Sequence, residues 1–64
     1  MFDWAYLDGE GNEVGRSARF PDPAAAEEWM GDSWRDLAEV GVAEVVLYDR
    51  TRDRRVYRMG LGPG

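Results

Sequence analysis

An amphipathic stretch at residues 22–41 lies between two pairs of period-two segments, and that order leaves few folds open. Residues 2–8 set Phe2, Trp4 and Tyr6 against Asp3, Ala5 and Leu7, the alternation of a strand with one buried face. Gly9-Glu10-Gly11-Asn12 is turn-rich and reverses the chain. Val14 to Phe20 then reads as a second strand, with Ala18 and Phe20 sharing a face. Beyond the helix, Ala43 to Asp49 is rich in β-branched residues, residues 49–54 form a polar loop, and Arg55 to Leu61 places Tyr57, Met59 and Leu61 on one face. Gly62-Pro63-Gly64 reads as a disordered, frayed tail after a single domain spanning 1–61.

The central stretch carries its own start and stop. Asp22 can accept from free N–H groups of the first turn, and Pro23 suits the first helical position because its missing N–H has no partner there anyway. Glu27 and Glu28 lie on the favourable side of the helix dipole, and Gly41 is a natural C-terminal stop. Between them Ala26, Trp29, Met30, Ser33, Leu37 and Val40 fall on one stripe with Trp34 at its border, while Glu28, Asp32, Arg35 and Glu39 lie opposite. Gly31 costs about 1 kcal/mol relative to alanine and is the place where this helix would kink or split. A helix over residues 23–40 rises about 27 Å, enough to cross a short-stranded sheet and bring the chain back to its starting edge. The expected fold class is α+β: a ββαββ chain whose helix packs on one face of a four-stranded antiparallel sheet, in the order 2-1-3-4.

At 64 residues the core is thin, and the chain has neither cysteine nor histidine. All eight bases are arginine. Packing of three Trp, three Tyr and two Phe must therefore supply the stability. The net charge of −5 is unevenly spread: residues 1–44 hold eleven acids against three arginines, and residues 45–64 hold two acids against five arginines. The start Met1-Phe2-Asp3-Trp4 lacks the basic and apolar regions of a signal peptide, and no apolar run is long enough to cross a membrane, so the expectation is a cytoplasmic location with no membrane partner.

Motifs with chemistry are few. Asp8-Gly9-Glu10-Gly11-Asn12-Glu13 resembles a calcium loop in its alternating oxygens, but Glu13 stands where the sharp-turn glycine belongs and Arg19 where the bidentate acid belongs. It reads as a hairpin turn, with no metal expected. Nor is it a phosphate-binding loop, because a strand follows it. A nucleophile would have to be Ser17, Ser33 or Thr51, none with a base nearby in sequence; the expectation is a protein that is not an enzyme and takes no cofactor. Arg50, Arg52, Arg54, Arg55 and Arg58, with Tyr48 and Tyr57 nearby, make the case for nucleic acid. Asp49 and Asp53 interrupt that run, so a solvated hairpin paired with its own acids is the simpler reading.

The sheet face turned away from the helix stands out more. With Trp4, Tyr6, Phe20, Val45, Leu47, Tyr57 and Met59 turned to the helix, this outer face carries Asp3, Ala5, Leu7, Arg19, Val46, Tyr48, Val56 and Arg58. It is half apolar where a solvated sheet face is normally polar, and an apolar centre with a charged border suits a contact surface. Ala5, Leu7, Val46, Tyr48, Val56 and Arg58 are thus the candidate protein contacts, and Arg50, Arg52, Arg54 and Arg55 the candidate nucleic-acid contacts.

The FDWAYLD start, Glu13-Val14-Gly15-Arg16-Ser17, Phe20-Pro21-Asp22 before an Ala/Glu/Trp helix, and Val56-Tyr57-Arg58-Met59 together resemble a family of short uncharacterised actinobacterial proteins. That resemblance implies no activity, ligand or site. The functional expectation is a non-enzymatic interaction module or homodimer that uses the outer sheet face. Weak nucleic-acid binding through residues 50–58 is the alternative, or acidic mimicry that inhibits a nucleic-acid enzyme through residues 1–44.

Overall fold

The computed structural model describes residues 1–61; the tail expected at 62–64 lies outside the described residues. Four strands, β1 (Phe2–Leu7), β2 (Glu13–Arg16), β3 (Glu44–Asp49) and β4 (Arg54–Gly60), and one helix, α1 (Pro23–Glu39), follow one another as ββαββ. The sheet order is β2-β1-β3-β4, with every neighbouring pair antiparallel. Fold class and strand order are those expected from the sequence.

Capping chemistry sets the helix bounds. The extended Asp22 accepts from the Ala25 N–H at 2.8 Å, with Pro23 behind it. At the other end Gly41 takes φ +97°. Its N–H reaches the Ala38 carbonyl at 3.2 Å, while Val42 N–H reaches the Leu37 carbonyl at 3.0 Å. This pair of bonds closes the helix and turns Val42 into the core. The helix runs unbroken through Gly31. Val40, expected on the buried stripe, is instead 79% exposed, because at the C-cap the chain has already begun to leave the helical path.

The first hairpin differs from its expected form. β2 ends at Arg16 rather than continuing to Phe20. Ser17 is the reason: its hydroxyl accepts from the Trp4 N–H at 2.8 Å and donates to the Ala18 carbonyl at 2.8 Å, a side chain standing in for the ladder. Ala18 and Arg19 are exposed, and pairing resumes as a single bridge between Phe2 and Phe20. The turn before β2 is held by Asp8, whose carboxylate accepts from Glu10 N–H at 2.8 Å and Asn12 N–H at 3.0 Å. Those bonds from backbone N–H groups hold the Asp8 carboxyl below its usual range.

The core gathers Trp4, Ala26, Met30, Val42, Val45, Leu47 and Leu61, with Phe20 against Trp29 at 5.6 Å. Trp4 ties the layers together: its indole N–H donates to the Ala26 carbonyl at 2.9 Å inside the core. The helix backbone consequently makes its closest approach to the sheet at β1.

Candidate interaction surfaces on the two faces of the sheet

On the outer face the register builds rows across the strands. Arg16, Ala5, Val46 and Arg58 form one row over all four strands. Glu13, Leu7, Glu44 and Gly60 form the next. Arg16 pairs with Glu13 at 3.0 Å, and Arg58 with Glu44 at 3.7 Å, so ion pairs frame the centre from both edges. Ala5 and Val46 are only 1% and 2% exposed. Long arginine stems flanking two small side chains roof a sheet that has no second layer.

The same closure continues toward the β3–β4 loop. Asp3 stands opposite Tyr48 and is 4% exposed. Arg50 reaches its carboxylate through Nε at 3.0 Å and Nη2 at 3.0 Å. The guanidinium also lies 4.4 Å from the Tyr48 ring centroid, and its pairing with Asp3 raises the arginine pKa further. Leu7 and Tyr48 are half-buried, and Arg58 is exposed. A bulge at Leu47/Tyr48 puts Arg55, rather than Val56, opposite Tyr48, and takes Val56 out of the expected outer row. The six candidate protein contacts are therefore not one open patch: its centre, Ala5 and Val46, is closed.

The four candidate nucleic-acid arginines also separate. Arg50 is committed to Asp3, and Arg52 lies 4.0 Å from Asp49. Asp49 also anchors the loop by accepting from the N–H groups of Thr51 at 3.1 Å and Arg52 at 3.2 Å. Asp53 completes the turn at φ 52°, a conformation aspartate tolerates. Arg52, Arg54 and Arg55 line a recess of about 310 Å³ with Phe2, Asp49 and Val56.

A larger opening lies on the helix face, where the sequence reading expected core. Because the α1 backbone comes closest to β1, β4 is only partly covered, and all seven of its residues are exposed to some degree. Between α1 and β4 runs a groove of about 620 Å³ lined by Met30, Gly31, Trp34, Tyr57, Met59 and others. Trp34, Tyr57 and Met59 are 39%, 36% and 37% exposed. Tyr57 is braced edge-on by Trp4 at 5.8 Å. Its hydroxyl pKa is pushed up to about 12, first by burial and then by the neighbouring Glu27 carboxylate, which also lines the groove.

Gly31 sharpens the picture. A Cβ built there meets nothing within 4 Å, so neither packing nor backbone geometry calls for glycine at this helical position. The side it leaves bare is a wall of the groove.

Sequence reasoning missed Glu27, Gly31 and Gly60 as lining residues and treated Tyr57 and Met59 as core. Two signals for the groove were present: Trp34 at the border of the stripe, and a helix-weakening glycine three residues before it. Among the described residues no group of three or more acids is placed to hold a metal ion, and no helix is long and apolar enough to cross a membrane. Comparison with protein-family models, curated proteins and solved structures returned no match.

Proposed function

We propose that this protein is a non-enzymatic interaction module, and that its docking surface is the α1/β4 groove rather than the outer sheet face. The observation that carries this reading is the pairing of an open apolar groove with an unpartnered edge strand along its full length. Trp34, Tyr57 and Met59 form an apolar lining beside Glu27, with the Arg35 guanidinium 5.3 Å from the Trp34 ring centroid, an apolar centre with a charged border that suits a protein contact surface. The outer face supports the reading less well, since Ala5 and Val46 are already covered by the protein's own side chains.

The test is a capture experiment with wild type, Gly31→Leu and Leu7→Asp/Tyr48→Asp, in which bound protein and nucleic acid are both identified and solution mass is measured alongside. Leucine at position 31 projects into the groove from a site where the added Cβ meets no neighbour, and a thermal melt of each variant checks that the fold is retained. A protein held by wild type and by the outer-face variant, but lost by Gly31→Leu, is the expected result. Loss by the outer-face variant alone returns the contact to the outer face. Recovery of no protein by any of them contradicts the module reading.

A second reading is carried by the recess between Arg52, Arg54 and Arg55. Arginine forks suit phosphate, and binding there would weaken steeply with salt through counterion release. Asp49 lines the same recess and opposes an anion, which is why this reading ranks second. Single-stranded DNA that binds at low salt and is lost on Arg54→Gln/Arg55→Gln would favour it.

A further inference from the structure

Within the docking reading, on which this step rests, the groove also specifies the chemistry of its occupant. We infer that the partner is an extended segment of another protein that adds as a fifth strand to the free edge of β4, alternating bulky apolar residues with acidic ones.

The backbone comes first. Among the described residues β4 pairs with β3 on one side only, so its other side presents N–H and C=O groups with no strand partner there. The bulge disturbs the strand near Arg55 and Val56, but Tyr57 to Gly60 keep regular register with β3, from Leu47↔Tyr57 to Glu44↔Gly60. That stretch is a template for one more strand, and main-chain bonds of this kind supply affinity in strand addition.

Side chains then set the pattern. Successive residues of an added strand point to opposite faces. Those on the helix side enter the groove against Tyr57, Met59 and Trp34, and want to be apolar. Those on the outer side stand beside Arg55 and Arg58. No carboxylate of this chain lies within ion-pair distance of Arg55 among the described residues. Arg58 meets only Glu44, at 3.7 Å, with its own side chain 64% exposed. Arg58 has the greater capacity for an acid, since Arg55, though unpaired among the described residues, shares its recess with Asp49. Glu27 lines the groove and repels acids on the inward side, so the acidic positions belong to the outward side alone. The net charge of −5 does not cancel this, because at physiological ionic strength charges beyond about 8 Å are screened and the nearest arginines dominate.

Charge also argues against a second copy of this chain as occupant. A two-fold pairing of β4 with itself is antiparallel, and in the register centred on Arg58, within the regular stretch, it sets Arg58 beside its own copy, where like charges are destabilising.

The experiment is panning of a displayed library of short random linear peptides on the full chain, followed by affinity measurements on synthetic copies of the enriched peptides. The expected peptides alternate apolar and acidic residues. Their affinity falls with salt, is lost when alternate backbone amides are N-methylated, and drops roughly tenfold on Arg55→Glu/Arg58→Glu, where two attractions become two repulsions. Gly31→Leu abolishes their binding while leaving thermal stability undiminished. Should charge reversal perturb the fold, Arg55→Gln/Arg58→Gln gives a smaller drop in the same direction. Enriched peptides that are lost on Gly31→Leu but are basic, helical or indifferent to N-methylation overturn the strand inference while the docking reading stands. Absence of any peptide sensitive to Gly31→Leu overturns both. A doubled solution mass abolished by Gly31→Leu makes a second copy the occupant and overturns the inference.

Discussion

Ala5 and Val46 lie on the face of the sheet that no helix covers, whereas Tyr57 and Met59 lie on the face that packs against α1. Layer membership alone assigns the first pair to solvent and the second to the core. Exposure runs the other way: 1% and 2% for Ala5 and Val46, 36% and 37% for Tyr57 and Met59. Two local causes produce the inversion. On the outer face arginines flank small residues and are held in place by Glu13, Glu44 and Asp3. On the helix face the Trp4 indole bond to Ala26 anchors α1 over β1, and one helix is too narrow to cover four strands. In a domain this small, which face is open depends on single side chains more than on layer count.

The largest effect is expected at the side chain that locates the helix. Trp4→Ala removes the largest buried side chain and the bond that locates the helix, and should cost about 3–5 kcal/mol, enough to unfold much of the population of a small domain. Denaturant melts of the variant check this directly. Next comes the outer roof: Arg50→Ala strips the buried Asp3 carboxylate of its partner and should cost about 2 kcal/mol. Arg54→Ala, with no ion-pair partner among the described residues, should stay within about 0.5 kcal/mol, and the contrast in urea midpoints separates the two arginines.

At the groove the sign reverses. Gly31→Ala should stabilise the fold by up to about 1 kcal/mol, because the helix gains propensity and the new methyl meets no neighbour. A higher melting temperature together with weaker partner binding would identify this glycine as kept for access. The smallest effect is in pH. Tyr57 holds its proton to about pH 12, while an unfolded tyrosine releases it near 10. Its contribution is therefore intact below about pH 10 and is lost as pH rises toward 12. Tyr57→Phe should flatten that decline, leaving the residual slope due to Tyr6, whose hydroxyl burial also raises. Stability measured across the alkaline range tests this.

Much of the fold was legible in residue order. Asp22-Pro23 and Gly41 bounded the helix, and the alternation of Phe2, Trp4 and Tyr6 assigned their face, since these signals act over a few neighbouring residues. The end of β2 was not legible, because the Ser17 hydroxyl replaces a ladder carbonyl only once Trp4 stands opposite. Nor was the shift that brings Arg55 opposite Tyr48, since alternation alone does not reveal an extra residue. The candidate site was least legible. Periodicity says which face a residue takes but not how far a helix reaches across a sheet, so Tyr57 and Met59 read as core, and the closure of Ala5 and Val46 depends on arginine pairings contributed by three strands.

Radical footprinting of the free protein, read residue by residue, tests the inversion most directly, because it labels side chains according to solvent access, Met, Trp and Tyr fastest and aliphatic residues such as Val more slowly. Met59 and Trp34 should label heavily, Met30 and Trp4 hardly at all, and Val46 on the outer face should be as protected as the core. Strong labelling of Val46 with protection of Met59 and Trp34 would contradict the account, and would return the open apolar surface to the outer face of the sheet.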